Sequence, residues 1–260
     1  MTQQTPSGRA AQQQFGRQAH LYAQSTAHRS GEGLDVLTQY MAMGSPHALS
    51  VDVGAGAGFT AFAASPYASH VLATDITPQM LDQTRRQARE RGIANLGVML
   101  TQAESLPFRD ASVDMVTCRQ AAHHFHNLPA ALAEARRVLK PGGAFLFTDP
   151  VSPETDGEDR WLNNVEVRRD PSHVRDLRIS EWRLLLAEAG LAVTHTSMAR
   201  VYHEFNDWVR RAATPQQNIE PLRRDLLQAA PSVVEAFGIR HEDDTFYFYW
   251  DVLVARAVRQ

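Results

Sequence analysis

The strongest constraint in this sequence is a rhythm. From Ala48 to Pro150, short apolar runs alternate with amphipathic helical stretches, and the alternation repeats four times. ALSVDVG, HVLATDI, LGVMLTQ, VDMVTCR and GAFLFTDP read as strands, with helices starting near Phe59 and running over TPQMLDQTRRQARERG and LPAALAEARRVL. Strands this uniformly apolar are buried on both faces, and helical crossovers between them make neighbours parallel. A doubly wound α/β sheet is the expected product. Local signals agree: Thr77 is the expected N-cap of the second helix with Pro78 just inside it, Gly92 is its stop, and KPGG is a turn before the fifth strand.

After Pro150 the rhythm changes. SPETDGEDRWLNNVEVRRDPSHVRDLR is charged and interrupted by Pro153 and Pro171, which predicts an insertion of loop and short helix. ISEWRLLLAEAG follows as a helix with Ser180 as N-cap and Gly190 as stop, then LAVTHTSMARVYH as a strand. Helices are expected from about Phe205 to Phe237, and the β-branched and aromatic run TFYFYWDVLVARAV forms a last strand, the seventh. Upstream, Phe15, Ala19 and Tyr22 recur at helical spacing, and GEGLDVLTQYMAM is a second short amphipathic helix.

With 260 residues, 43% of them hydrophobic, the chain can bury one sizeable core. A formal net charge of -3 leaves no basic footprint for nucleic acid or for an anionic membrane. The single cysteine, Cys118, excludes an internal disulfide framework and a cysteine-based zinc site, so a reducing, cytoplasmic setting is expected. No apolar stretch reaches membrane-spanning length, and the polar start MTQQTPSGRAAQQQ lacks the apolar core of a signal peptide. The expected partner is a small molecule, with no nucleic acid and no membrane insertion; a homodimer stays open.

The first strand ends in VDVGAGAGF, where Gly54, Gly56 and Gly58 alternate. Ligands of open α/β sheets sit at the carboxyl ends of strands, where strand order reverses, and bare glycine backbone lets a ligand approach closely. The second strand ends about twenty residues later in Asp75, placed to accept both hydroxyls of a ribose. An adenosine-type ligand follows. The dinucleotide fingerprint is G-x-G-x-x-G, whereas here the spacing is G-x-G-x-G, which argues against NAD. A tight strand-to-helix turn without any ligand is the competing reading.

Together, VDVGAGAG, ATDITPQML, AESLPF, SVDMV, CRQAAHHF and RVLKPGG resemble the class I S-adenosylmethionine-dependent methyltransferases of the type 11 group, related to the ubiquinone/menaquinone-biosynthesis enzymes. The implied fold is Rossmann-like: a doubly wound, seven-stranded, mostly parallel sheet with an antiparallel last strand, helices on both faces, N-terminal lid helices and a small helical cap. The implied organisation is a disordered tail over residues 1–14 and one domain over 15–260. Lid helices would lie at 15–45, the cofactor-binding core at 48–150 and cap insertions at 151–180 and 205–240. The implied cofactor is S-adenosylmethionine, with S-adenosylhomocysteine as product. Asp52 and the loop of Gly54, Ala55, Gly56 and Gly58 would hold its methionine part, Asp75 its ribose, and Ile76 and Met80 the adenine faces. Gln102, Ala103 and Glu104 stand at the third strand tip, where relatives usually have Asp-Ala; the Gln102 amide oxygen can accept the same bond without charge. FGRQAHLYAQS resembles the family's lid helix, in which Tyr22 would reach the cofactor carboxylate; an ordinary core stripe is the alternative for Tyr22.

The resemblance implies methyl transfer to a small-molecule acceptor at O, N or C by in-line displacement. A nicotinamide-dependent oxidoreductase and a cofactor-binding protein without catalysis are the alternatives. A base is needed only if the acceptor must lose a proton. CRQAAHHFHNL offers His123 and His124 as substrate-facing or proton-accepting groups; histidines that merely stabilise the loop, or a zinc site, are the other readings. Arg119 faces either the methionine carboxylate or a surface ion pair. Cys118 reads as a small buried hydrophobe. In the insertion, Trp161, Arg168 and His173 are the candidate substrate contacts, in a segment resembling one found in a bacterial subset of the group, where positive charge points to an anionic acceptor.

Overall fold

The computed structural model describes Gln12, Gly16 and residues 31–260. Tyr22, with Phe15 and Ala19, lies outside the described residues. The order of elements is α1 (Glu32–Ala42), β1 (His47–Val53), α2 (Phe59–Ala64), β2 (Ala68–Asp75), α3 (Pro78–Glu90), β3 (Leu96–Leu100), β4 (Val113–Arg119), α4 (Leu128–Val138) and β5 (Leu139–Ser152). Then come α5 (Asp156–Arg169), β6 (Leu177–Arg178), α6 (Ile179–Glu188), β7 (Leu191–Glu204), α7 (Phe205–Arg211), α8 (Gln216–Leu227), α9 (Pro231–Phe237), β8 (Arg240–Glu242) and β9 (Thr245–Arg259).

Seven strands lie side by side in the order β3-β2-β1-β4-β5-β9-β7, with short β6 and β8 pairing β5 and β9. β1 pairs in parallel with β2 and β4, β2 with β3, and β4 with β5, while β9 runs antiparallel to both neighbours. Strand order reverses between β1 and β4, so their carboxyl ends diverge into a crevice. Both faces of β1 are covered, which is why polar Ser50 and Asp52 are as buried as Val51 between them. One face carries Leu37 and Met41 of α1 and Ala61 of α2; the other carries Leu132 of α4 and Trp182 and Leu186 of α6.

The described part of the expected lid, α1, lies on the sheet, where Gly33 sits against Thr148 of β5, Ala199 of β7 and Val254 of β9. The KPGG turn is absorbed into β5, whose pairing with β4 shifts register between Val113 and Met115. Ser180 is not the N-cap of α6. The helix begins two residues earlier, with Arg178 in that place: the Glu181 carboxylate accepts from the Arg178 amide, while the Ser180 amide and hydroxyl both donate to Glu154.

The cap rests on an overhang. β9 pairs with β5 only over Val252–Val258, so its first half, with the second half of β7, projects past the sheet and receives α5, α7, α8 and α9. Its centre is aromatic: Trp161 stacks on Phe237, and Trp208 and Phe237 meet Trp250 edge-on. The buried Glu166 carboxylate accepts from the indole N–H groups of Trp208 and Trp250 and from Arg169, tying α5 to α7 and β9.

Gly58 is a packing glycine. Its φ is +90°, and an added Cβ would lie 2.6 Å from Thr84 Cγ2 and 2.7 Å from Phe62 Cζ. Overpacking added to left-handed strain is expected to make Gly58→Ala about 3 kcal/mol less stable, read from urea unfolding.

Candidate active site

A cavity of about 140 Å³, open at its mouth, occupies the crevice at the strand tips. Its walls include Gly54, Ala55, Gly56, Asp75, Ile76, Met80, Gln102, Ala103, Glu104 and Arg119, so the structure brings these expected residues together. Phe59, Thr60, Gln120, Ala121, His124 and Phe125 also face it.

The glycine turn builds the floor. At Gly54 (φ +66°) an added Cβ would fall 2.6 Å from the Ala121 Cβ, whereas at Gly56 (φ +53°) it would meet nothing within 4 Å and would stand in open space. Asp75 fixes the turn: Oδ2 accepts from the Gly56 amide at 2.9 Å and Oδ1 from the Thr77 amide at 2.8 Å. Each carboxylate oxygen has a second lone pair, so both remain able to accept from a ribose. Burial pushes the Asp75 carboxyl upward, against these two amides. On the rim, the Gln12 side-chain amide donates to the Ile76 carbonyl at 2.9 Å, on the expected adenine side.

Two expected ligands of the cofactor stand back from the cavity. Gly58 packs against Thr84 and Phe62, as above. Asp52 is fully buried because its side chain points along the sheet face, toward its in-register neighbour on β4: Oδ1 accepts from Thr117 Oγ1 at 2.7 Å. Oδ2 has no hydrogen-bond partner among the described residues. Burial pushes Asp52 up to about 7, opposed by Thr117 and by the nearby Arg119. Arg119, whose Nε donates to Thr60 Oγ1 at 2.9 Å, is lowered to about 10 by burial, with Asp52 acting the other way. Asp52 thus acts beneath the floor as a counter-charge to Arg119.

A second cavity, about 90 Å³, lies under the cap and shares Gln120 and His124 with the first. His123, His173, Asp176, Arg169, Arg211 and Trp250 line it. His173 therefore stands where a substrate contact was expected, but Trp161 and Arg168 do not. Trp161 is held in the aromatic stack of the cap, and Arg168 faces outward to Asp225 of α8. On the same helix it is Arg169, paired with Glu166, that turns inward.

His123 and His124 sit on one short 3-10 turn, Ala122–His124, with ring centroids 4.1 Å apart. His123 Nδ1 is 2.9 Å from Asp149 Oδ1. Burial opposes its charge, but Asp149, with Asp176 and Glu166 beyond, raises it to about 9. His124 goes the other way, lowered to about 3 by burial and by the charge of His123. Its Nδ1 is 3.2 Å from both oxygens of Ser172, whose hydroxyl donates to Asp170, so Nδ1 carries the ring proton. Among the described residues no group of three or more His, Cys, Asp or Glu side chains is arranged to hold a metal ion. Cys118 is buried on β4, its thiol pushed well up by burial.

Gln120 gave no signal in the sequence. It is a non-glycine residue at φ +51°, held there by its amide on the Thr148 carbonyl at 2.6 Å, at the junction of the two cavities. Such strain collects at functional sites.

A strand-tip crevice with a glycine cradle and an acidic second strand defines a Rossmann-like, nucleoside-binding α/β protein. The Methyltransferase domain family matches residues 51–147. The chain is 34% identical over 239 residues to the uncharacterized methyltransferase YcgJ of Bacillus subtilis, covering 92% of this chain and 91% of that one. Over 120 residues it is 41% identical to the ubiquinone/menaquinone biosynthesis C-methyltransferase UbiE of Brucella anthropi, 43% of this chain and 46% of that one. The crystal structure of Bacillus subtilis YcgJ superposes with a TM-score of 0.83 at 32% identity, covering 88% of this chain and 98% of that one. A putative methyltransferase from Bacillus halodurans gives 0.84 at 32% identity, covering 88% and 99%. The chain belongs to the class I S-adenosylmethionine-dependent methyltransferases of the type 11 group. It is an enzyme of methyl transfer with S-adenosylmethionine as cofactor, and the oxidoreductase alternative falls away.

The shifted pKa of Asp52 has a thermodynamic signature. Between its ordinary value of 3.8 and about 7, the folded chain holds a proton that the unfolded chain has released. Across that window rising pH therefore costs stability at this position. Asp52→Asn is expected to gain stability relative to the unsubstituted protein as pH rises through the window, and to keep a constant difference above it, in denaturant titrations without cofactor.

Proposed function

We propose that the strand-tip cavity binds S-adenosylmethionine and that the neighbouring cavity under the cap takes a small-molecule acceptor, with transfer at their junction beside Gln120 and His124. The observation that carries this reading is the sharing of these two residues by both cavities. When bound, the cofactor supplies a methyl group on a positively charged sulfur.

The chain's own residues do the placing. Gly56 leaves room that any side chain would fill, Asp75 accepts from the ribose, and Ile76 and Met80 flank the adenine, with Gln102 and Glu104 at its edge. Arg119 lies at the methionine end, and Asp52 sets its charge from below. Holding acceptor and methyl in line removes on the order of 7–11 kcal/mol of barrier, so the helical cap on its β7–β9 overhang serves chiefly to position the acceptor and exclude water. Among the described residues no helix is long and apolar enough to cross a membrane. A cytoplasmic setting goes with this reading, supported by a single, buried thiol.

Calorimetric titration tests it. S-adenosylhomocysteine is expected to bind and NAD(P) not; the reverse would defeat the reading. Asp75→Ala is expected to weaken S-adenosylhomocysteine on the order of tenfold to a hundredfold, the loss of a charge-assisted contact, and Gln102→Ala by about 1 kcal/mol. Full affinity in Asp75→Ala would remove the ribose role.

A further inference from the structure

From the cavity under the cap we infer the acceptor's chemical class: an acidic oxygen compound, a phenol or enol, bound as its oxyanion against the Nε2–H of His123 while His124 stays neutral beside the transferring methyl. This rests on the methyltransferase reading above.

The argument starts from which groups are already engaged. Four carboxylates border or back this cavity, and three of them are already held by donors. Asp149 is held by His123, Glu166 by two indoles and Arg169, and Asp170 by the amide and hydroxyl of Ser172. The fourth, Asp176, is buried with one oxygen unpartnered among the described residues; burial pushes its carboxyl upward, and the charge of His123 acts against that. The imidazoles complete the wall. His123 gives Nδ1 to Asp149, keeps 13% of its side chain exposed, and turns its other nitrogen toward the cavity it lines. His173 Nε2, 4.0 Å from Asp176 and without a partner among the described residues, adds a second polar atom to the same wall.

Two imidazoles 4.1 Å apart do not both carry charge, and Asp149 assigns the charge to His123. That division suits transfer from a sulfonium. His124 borders both cavities, so a cation there would repel the positive sulfur; its ring proton is instead committed to Ser172. The charged ring stands on the acceptor side. An acceptor hydroxyl placed against His123 ionises more readily, releasing its proton to solvent. The acceptor anion then uses an electron pair, on oxygen or on the conjugated carbon, to bond the methyl carbon. The sulfur–carbon bond breaks with its pair going to sulfur, which leaves a neutral methylated acceptor and a neutral thioether.

The test uses 4-nitrophenol, whose phenolate is yellow, added to the protein saturated with S-adenosylhomocysteine and buffered below the probe's own pKa. A saturable phenolate band is expected, at least tenfold weaker in His123→Gln, whose S-adenosylhomocysteine affinity stays that of the unsubstituted protein. 4-Nitroaniline, matched in shape, is expected to bind at least tenfold more weakly. Nitrophenolate binding should also weaken as pH rises through about 9, where His123, faced by Asp149, Glu166, Asp176, His173, His203, Arg169 and Arg211, loses its charge. Probe bound without the band, equal binding in His123→Gln, equal binding of the aniline, or no probe binding alongside intact S-adenosylhomocysteine binding overturns the inference. If His123→Gln no longer binds S-adenosylhomocysteine, Asp149→Asn replaces it: loss of the band supports the inference and its retention overturns it. Failure of the unsubstituted protein to bind S-adenosylhomocysteine strikes the methyltransferase reading instead.

Discussion

The site depends on one carboxylate. Asp75, at the tip of β2, receives the amides of Gly56 and Thr77 on its two oxygens, and so locks the glycine turn after β1 to the start of α3. Without that clasp, three glycines at positive φ would have the conformational freedom that makes glycine costly to order. With it, the turn is a preformed cradle. The same group that shapes the floor is also the one proposed to accept from a ribose, so that in this reading structure and recognition share a side chain.

The rest of the molecule arranges charge around that cradle in layers. Asp52, sealed inside the sheet, faces Arg119 from below, while Asp149 at the end of β5 faces His123 from the side. In each case a buried carboxylate favours the charged form of a basic group that lines a cavity. The cap is organised on the same principle: Glu166, buried among aromatic rings, is satisfied by two indoles and Arg169, and thereby turns Arg169 rather than Arg168 inward. Truncating a carboxylate held in this way leaves the basic partner buried without its counter-charge, which is costlier than losing a surface pair.

The sheet was legible in the sequence because both of its signals are local. A strand buried on two faces must be apolar throughout, and a crossover helix must be apolar on one stripe, so the strand and helix succession can be read directly from ALSVDVG to GAFLFTDP. Gly54, Gly56 and Asp75 were legible for the same reason: they occupy strand tips, which the alternation places in the crevice, and the family resemblance added Ile76 and Met80 beside them. The rest was decided by tertiary structure. Whether a strand residue such as Asp52 looks into the crevice or into the sheet depends on its neighbour Thr117, 65 residues away. Whether Arg168 or Arg169 faces the cavity under the cap depends on how α5 rolls against Trp208 and Trp250, and the cap's seat depends on how far β9 overshoots β5. The left-handed turn at Gln120 and the opposite protonation of His123 and His124 come from Thr148, Asp149 and Ser172, residues that meet them only once the chain has folded. Sequence alone determined the sheet, the crevice and an adenosine-type ligand, because periodicity and turn chemistry are written residue by residue; which side chains line the cavity under the cap was decided only by packing between distant segments, because a side chain's direction and charge belong to its surroundings.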